Sequence, residues 1–278
     1  MYGSHSDEEW RMARLERLGL KEDPFTLSAD PRFLYLGNDH LAVYRQALSV
    51  ISRRRGLALI TGGMGMGKSS LARRLYDVYA SDESVVICYF HTAGFKSAMD
   101  AARQIARSLG VPTQRSFQRQ MEGLERMMSD AYIGGKNVVV LLDDAQLMNS
   151  EALDVIHRLY NFDYDSKVVQ LLAFGQREMV PLFESNEAVN ARVFVRLTLP
   201  PLTLASALQM ILFRLSVAGR NDPLIDDDAF EYLYEHSGGI PREIISMCTL
   251  ATDLLLESDQ TVIDVNIVKK VIEIREGK

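Results

Sequence analysis

The sequence predicts an α/β fold, with a parallel-sheet core over residues 23–200 and an all-helical domain over 201–278 behind a short helical leader, 1–22. Three observations predict it. Apolar runs at 57–60, 85–90, 138–142, 168–174 and 193–199 alternate with stretches of helical spacing. That is the pattern of buried parallel strands joined by right-handed crossovers. Past Pro200 and Pro201 the runs cease and only helical periodicity remains. Between the first run and the helix after it lies a glycine-crowded loop, Gly62, Gly63, Met64, Gly65, Met66 and Gly67, closed by Lys68, Ser69 and Ser70.

In chain order, the leader is charged and weakly amphipathic, with Trp10, Met12, Leu15 and Leu18, and ends near Gly19. It reads as a plain surface helix or as one that docks a partner or a second subunit. The stretch KEDPFTLSADPRFLYLG then holds two prolines, Pro24 and Pro31, which keep it extended. Its Phe25, Phe33 and Tyr35 must pack on something, and an edge of the glycine-loop pocket is one candidate. Residues 40–55 have Leu41, Tyr44, Leu48 and Ile51 at helical spacing, with Arg53, Arg54 and Arg55 in the last turn. Three cations there suit the negative end of a helix dipole, and contact with nucleic acid is the alternative.

After the glycine loop and its helix come the strand 85–90, a turn over 91–97 and a helix over 98–109. A break at 110–113 leads into a helix over 116–131, carrying Arg119, Glu122 and Arg126. The strand 138–142 ends in Asp143 and Asp144. A helix over 151–160 separates it from the strand 168–174. The second domain comprises helices at 203–218, 226–236, 241–257 and 264–275, with Asp226 as a cap and Pro241 in a first turn. There are no internal repeats or low-complexity segments.

Gly62, Gly67, Lys68 and Ser69 fit the spacing G-x-x-x-x-G-K-[ST]. Glycines let the backbone curl with its N–H groups inward, and the helix N-terminus adds partial positive charge, so such a loop cradles polyphosphate. Lys68 would reach the terminal phosphates, and the Ser69 hydroxyl would complete a Mg²⁺ shell. Four apolar residues running into an acid place Asp143 at the C-terminal edge of a central strand, where open α/β sheets bind ligands. Asp143 would hold Mg²⁺ through water and Asp144 would orient or deprotonate an attacking water. Taken alone, the two acids could also be a polar turn.

Composition narrows the class. With 47% hydrophobic and 24% charged residues the chain reads as soluble and globular. A net charge of −6 leaves no global basic footprint for nucleic acid, only room for a local track. Cys88 and Cys248 sit in apolar segments, as core thiols of a reducing compartment would. No apolar run approaches the ~20 residues that span a bilayer. The first residues, MYGSHSDEEW, are acidic where a secretion signal is basic. The expectation is a cytoplasmic protein with no membrane partner.

On GGMGMGKSS, VVVLLDDAQ, FGQREM, ARVFVRLTLPPL, FRLSVAG and SGGIPREI, with LKEDPFTLSADPRFLYLG before the core, the chain resembles the AAA+ ATPases. Within them it resembles the subgroup of ExeA-type secretion ATPases and of transposition ATPases of TniB, TnsC and MuB type. The resemblance implies ATP and Mg²⁺ as cofactors, ATP hydrolysis, and a helical lid after a P-loop core. It implies that Gln176 occupies the sensor-1 position reading the γ-phosphate and that Arg242 is sensor 2, reaching from the lid. It makes Arg192 the arginine finger that completes a neighbouring subunit's site, in a ring or head-to-tail helical filament. It also implies double-stranded DNA, bound without sequence preference along Lys96 and along Thr113, Gln114 and Arg115. Ordinary solvated loops are the alternative for those residues. Regulation of transposition with a transposase as partner is the expected role. A secretion or envelope assembly ATPase acting on protein, or a slow NTPase switch, are the alternatives. The family usually has Glu where this chain has Asp144, one methylene shorter, which puts fast hydrolysis in question. Neither a peptidoglycan-binding module nor a separate helix-turn-helix module is read.

Overall fold

In the computed structural model, which describes residues 4–27, 30–161 and 167–277, the chain opens with helix α1, Ser4–Arg17. Residues 1–3 of the expected leader and 28–29 of the proline-rich strap lie outside the described residues. Helix α2, Asn38–Ser52, leads into strand β1, Leu57–Thr61, then α3, Lys68–Tyr79, and β2, Val85–Phe90. Helices α4, Ala98–Ser108, and α5, Phe117–Ile133, precede β3, Asn137–Leu142. Helix α6, Ser150–Leu159, is followed by β4, Val169–Gly175. Two short helices, α7, Met179–Glu184, and α8, Glu187–Asn190, stand before β5, Val193–Thr198. The rest is helical: α9, Leu204–Val217; α10, Asp227–Ser237; α11, Pro241–Glu257; and α12, Val265–Glu276.

Residues 41–200 form one compact unit around a parallel sheet of order β2-β3-β4-β1-β5. The order follows from composition. β1, β3 and β4 are buried along their whole length and take the centre, whereas β2 and β5 are only partly buried and take the edges. Leu57 pairs with Leu171 and Thr61 with Gly175, while Leu142 pairs with Ala173. The ends of β1, β3 and β4 therefore lie side by side at one sheet edge. This is the α/β fold that the apolar runs predict.

Residues 1–40 and 201–278 form the other unit. The strap over 23–40 thus groups with the helices and not with the sheet core that was expected to begin at residue 23. Phe25 and Phe33 are buried in the helical core, beside Leu215, Met247 and Leu255. Backbone chemistry explains the docking. A strap interrupted by prolines forms no regular ladder for its own carbonyls, and a buried carbonyl needs a donor. Arg214, 5% exposed, supplies three: Nε to Pro24 O at 2.7 Å, Nη1 to Phe33 O at 3.1 Å and Nη2 to Thr26 O at 2.7 Å. Its guanidinium also lies over the Phe33 ring, 5.0 Å from the centroid.

The arginine triplet departs from expectation. α2 ends at Ser52, and Arg54 adopts a left-handed conformation, φ 51°. Arg53, Arg54 and Arg55 thus follow the helix, and their N–H groups close its last turn on Ser49 O, Ile51 O and Val50 O. Arg54 donates to Gly135 O and Lys136 O, and Arg55 lies over the Phe194 ring. No described helix is long and apolar enough to cross a membrane.

Candidate nucleotide site

The glycine loop leaves β1 at Thr61 and enters α3 at Lys68. Gly65 and Gly67 take φ of 77° and 88°, a region in which a Cβ is strained, so glycine is needed at both to turn the chain. Gly67 is the residue before the first helical turn and carries no side-chain cap, which leaves the N–H groups of that turn open to an anion. Met64 is exposed, whereas Met66 is buried under the loop.

Lys68 is 8% exposed and folds back over the loop, its Nζ donating to Gly62 O at 2.9 Å and Gly63 O at 2.8 Å. Burial lowers the pKa of its ammonium, opposed by the charges of Asp143, Asp144 and Glu178. A cation held over a loop of N–H groups and satisfied only by neutral carbonyls is set to exchange them for phosphate oxygens.

Asp143 follows β3 and is 2% exposed. Its Oδ1 accepts the Asp144 N–H at 2.9 Å and its Oδ2 the Tyr89 hydroxyl at 3.2 Å. Burial raises the Asp143 pKa, while the Ser69 hydroxyl and the Asp144 N–H draw it down. Burial and the neighbouring Asp143 charge hold the Tyr89 phenol well above its ordinary value, so it remains a donor. The structure thus joins Lys68, Ser69, Asp143 and Asp144, from two separate stretches of sequence, at one sheet edge. The Ser69 hydroxyl and the Asp143 carboxylate are an all-oxygen donor pair. Among the described residues no group of three or more His, Cys, Asp or Glu could hold a metal. Two protein ligands are what Mg²⁺ asks for when phosphates and waters fill its remaining positions, so the pair fits that ion.

Asp144 has φ 50° and ψ 40°, a left-handed backbone at a non-glycine residue, and opens a 3₁₀ turn, Ala145–Leu147. Its Oδ1 accepts from Gln146 Nε2 at 3.0 Å, and Gln146 Oε1 accepts the Gln176 backbone N–H at 3.0 Å. Gln176 is the first residue past β4 and is half-buried. Gln146 was not among the expected site residues. Its one sequence signal is a position two residues after the acid that ends a strand.

The remaining candidates stand apart. Arg192 donates to Ala188 O at 2.6 Å and Asn161 Oδ1 at 2.9 Å, both within its own subunit. Arg196, four residues on, binds Asn190 Oδ1. Arg242 is exposed in the first turn of α11, in the helical unit. Thr113, Gln114 and Arg115 line an open cavity of about 530 Å³ with Ser116 and Arg119, at the start of α5. Gln114 is fixed there, its carbonyl held by Arg103 and its N–H by Gln120. Lys96, exposed, precedes the first turn of α4 while Arg115 follows its last, so one subunit places them toward opposite ends of that helix.

Residues 51–183 match the family described as AAA domain. General secretion pathway protein A of Aeromonas hydrophila is 28% identical over 240 residues, 84% of this chain and 43% of that protein. The chain spans less than half the length of the curated relatives it matches. Among solved structures, Cdc6p from Pyrobaculum aerophilum superposes with a TM-score of 0.68 at 17% identity, over 90% of this chain and 70% of that one. The Aeropyrum pernix ORC1 protein, solved in complex with DNA, superposes with a TM-score of 0.64 at 18% identity, over 88% and 69%. At such identities the likeness is one of fold, the P-loop AAA+ fold.

Proposed function

We infer that this chain, whose fold is that of a P-loop AAA+ protein, is an ATPase whose phosphate loop, Asp143 and Asp144 bind and hydrolyse ATP with Mg²⁺. The observation that carries the reading is the meeting of Lys68, Ser69 and Asp143 at the ends of β1 and β3. The N–H groups at the start of α3 and the Lys68 ammonium bind and orient the terminal phosphates. Mg²⁺, when bound, neutralises developing phosphate charge. Ser69 and Asp143 hold its shell, Asp144 orients the attacking water and takes its proton, and Gln176 faces the γ-phosphate. Arg192 serves a neighbouring subunit, packed head to tail in a ring or filament, and Arg242 is the lid's contribution.

Two readings of the wider role have separate support. Exposed Lys96, Arg115 and Arg119, with Thr113 and Gln114, suit phosphate backbones read without sequence preference, the requirement of a DNA-binding transposition regulator. The similarity to General secretion pathway protein A favours an assembly ATPase acting on protein partners. Titrating labelled duplex DNA with the protein, with and without ATP, separates the two. The DNA reading expects binding that needs ATP, falls steeply with salt and is weakened by Lys96→Ala with Arg115→Ala. Assemblies that form with ATP yet bind no duplex at low salt would leave the protein-partner reading. In the same preparation Asp144→Asn is expected to keep ATP affinity and lose hydrolysis, and Asp144→Glu to hydrolyse at least as fast as the parent.

A further inference from the structure

We propose that Gln146 is a positioning residue for the proposed acid, its amide aiming the Asp144 carboxylate and tying it to the end of β4. The proposal rests on the reading of Asp144 as the residue that activates water. Polarity fixes the direction of the tie. The Gln176 backbone N–H can only donate, so the oxygen of the Gln146 amide must face it, 3.0 Å away. The NH₂ group is then turned to the Asp144 carboxylate, and it donates to Oδ1 at 3.0 Å. One side chain thus spans the ends of two paired strands, β3 and β4.

The surroundings are shaped to this bridge. An ideal Cβ at Gly175 would lie 2.8 Å from Gln146 Oε1 and 3.0 Å from Met179 Sδ, so a residue with a side chain there would displace the amide. The Asp144 backbone is held left-handed, its N–H on Asp143 Oδ1, which sets the root of the side chain. Departures of this kind cluster where geometry serves chemistry. A shortened acid has two side-chain torsions between that root and its oxygens, so one bond at Oδ1 decides where the free oxygen points. The same bond makes the acid follow the residue after β4. A displacement of Gln176 by bound nucleotide is carried to the carboxylate through a single amide.

The test uses steady-state hydrolysis by the full chain, with ATP affinity from a fluorescent analogue and a thermal melt as controls for folding. Gln146→Met keeps the length and loses both bonds. It is expected to lower kcat by about 10- to 100-fold, the scale of a misplaced catalytic group, with KM within about twofold. Gln146→Glu keeps the acceptor for the Gln176 N–H but sets a carboxylate against Asp144. It is expected to fall at least as far, which a plain structural link to β4 would not cause. Against whatever residual rate Asp144→Asn retains, Gln146→Met should lower turnover no further, because the group it aims is gone. Parental kcat in Gln146→Met or in Gln146→Glu would overturn the proposal, and so would an undiminished effect in the Asp144→Asn background. If Asp144→Asn itself turns over like the parent, it is the reading of Asp144 that fails.

Discussion

Lys68→Ala is the sharpest perturbation of the phosphate loop, and its size follows from what the ammonium does without nucleotide. Nζ already makes two bonds, to Gly62 O and Gly63 O. ATP binding therefore exchanges contacts and does not create them from nothing. A bond from a cation to an anionic oxygen contributes about 1.5–3 kcal/mol, against about 1 kcal/mol for an ordinary neutral pair. The carbonyl bonds being given up are themselves to a charged donor, so the net gain is about 1 to 1.5 kcal/mol for each bond exchanged. Two exchanges give about 2 to 3 kcal/mol, a factor of roughly 30 to 150 in Kd. The effect has a direction along the nucleotide as well. Lys68 is expected to serve the outer phosphates, so the loss should be largest for ATP, smaller for ADP and absent for AMP. Isothermal titration of the three nucleotides with parent and variant measures it. A Kd for ATP within about threefold of the parent would refute the exchange argument. Equal weakening of AMP would show that the loop had collapsed rather than lost a charge.

Three further outcomes follow from contacts elsewhere. Arg214→Met should cost about 3–5 kcal/mol by urea unfolding of the helical unit's signal, since it removes the three bonds Arg214 makes to the carbonyls of Pro24, Thr26 and Phe33; a loss under about 1 kcal/mol would mean that water replaces it. Asp143→Asn should leave the nucleotide-free protein at neutral pH no less stable. Burial raises this carboxyl's pKa, so the folded state holds its proton more tightly than the unfolded, and the Asp143 contribution to stability declines as pH rises through the raised value. The same variant should lose the Mg²⁺-dependent part of ATP affinity, which titration with and without the metal reports. Arg192→Ala should abolish ATP-driven assembly in light scattering and depress turnover while sparing nucleotide binding by the monomer. Unchanged turnover would confine Arg192 to its bonds with Ala188 and Asn161.

What could be read from the sequence is what is local. β1, β3 and β4 are continuous apolar runs, so they announce themselves and their central place together. The loop from Gly62 to Ser69 states its own geometry, because glycine at Gly65 and Gly67 is a backbone requirement. α7 and α8, of six and four residues, are too short to show a period, and periodicity assigns nothing between β4 and β5. The arginine triplet reads as a helix end because three cations suit one, whereas the left-handed Arg54 shows that the helix has already stopped.

The strap and Gln146 were illegible for a deeper reason. Pro24 and Pro31 predict an extended strap, whereas Pro31–Phe33 form a 3₁₀ turn, and the donor that accepts the strap, Arg214, lies far along the chain and looks like an ordinary helical arginine until folding buries it. Gln146 is a polar residue after a strand until the pairing of Leu142 with Ala173 brings the next residues of both strands within reach of one amide. In each case a side chain answers a backbone group or a carboxylate that is distant in sequence, and only the fold makes the pair. The glycine loop is the opposite case, since its eight residues contain both the demand and its answer. The residues proposed to bind phosphate could therefore be named from spacing alone. The residue proposed to aim the acid could not, and a chain with the same loop but no amide at position 146 would read alike while being expected to differ in turnover.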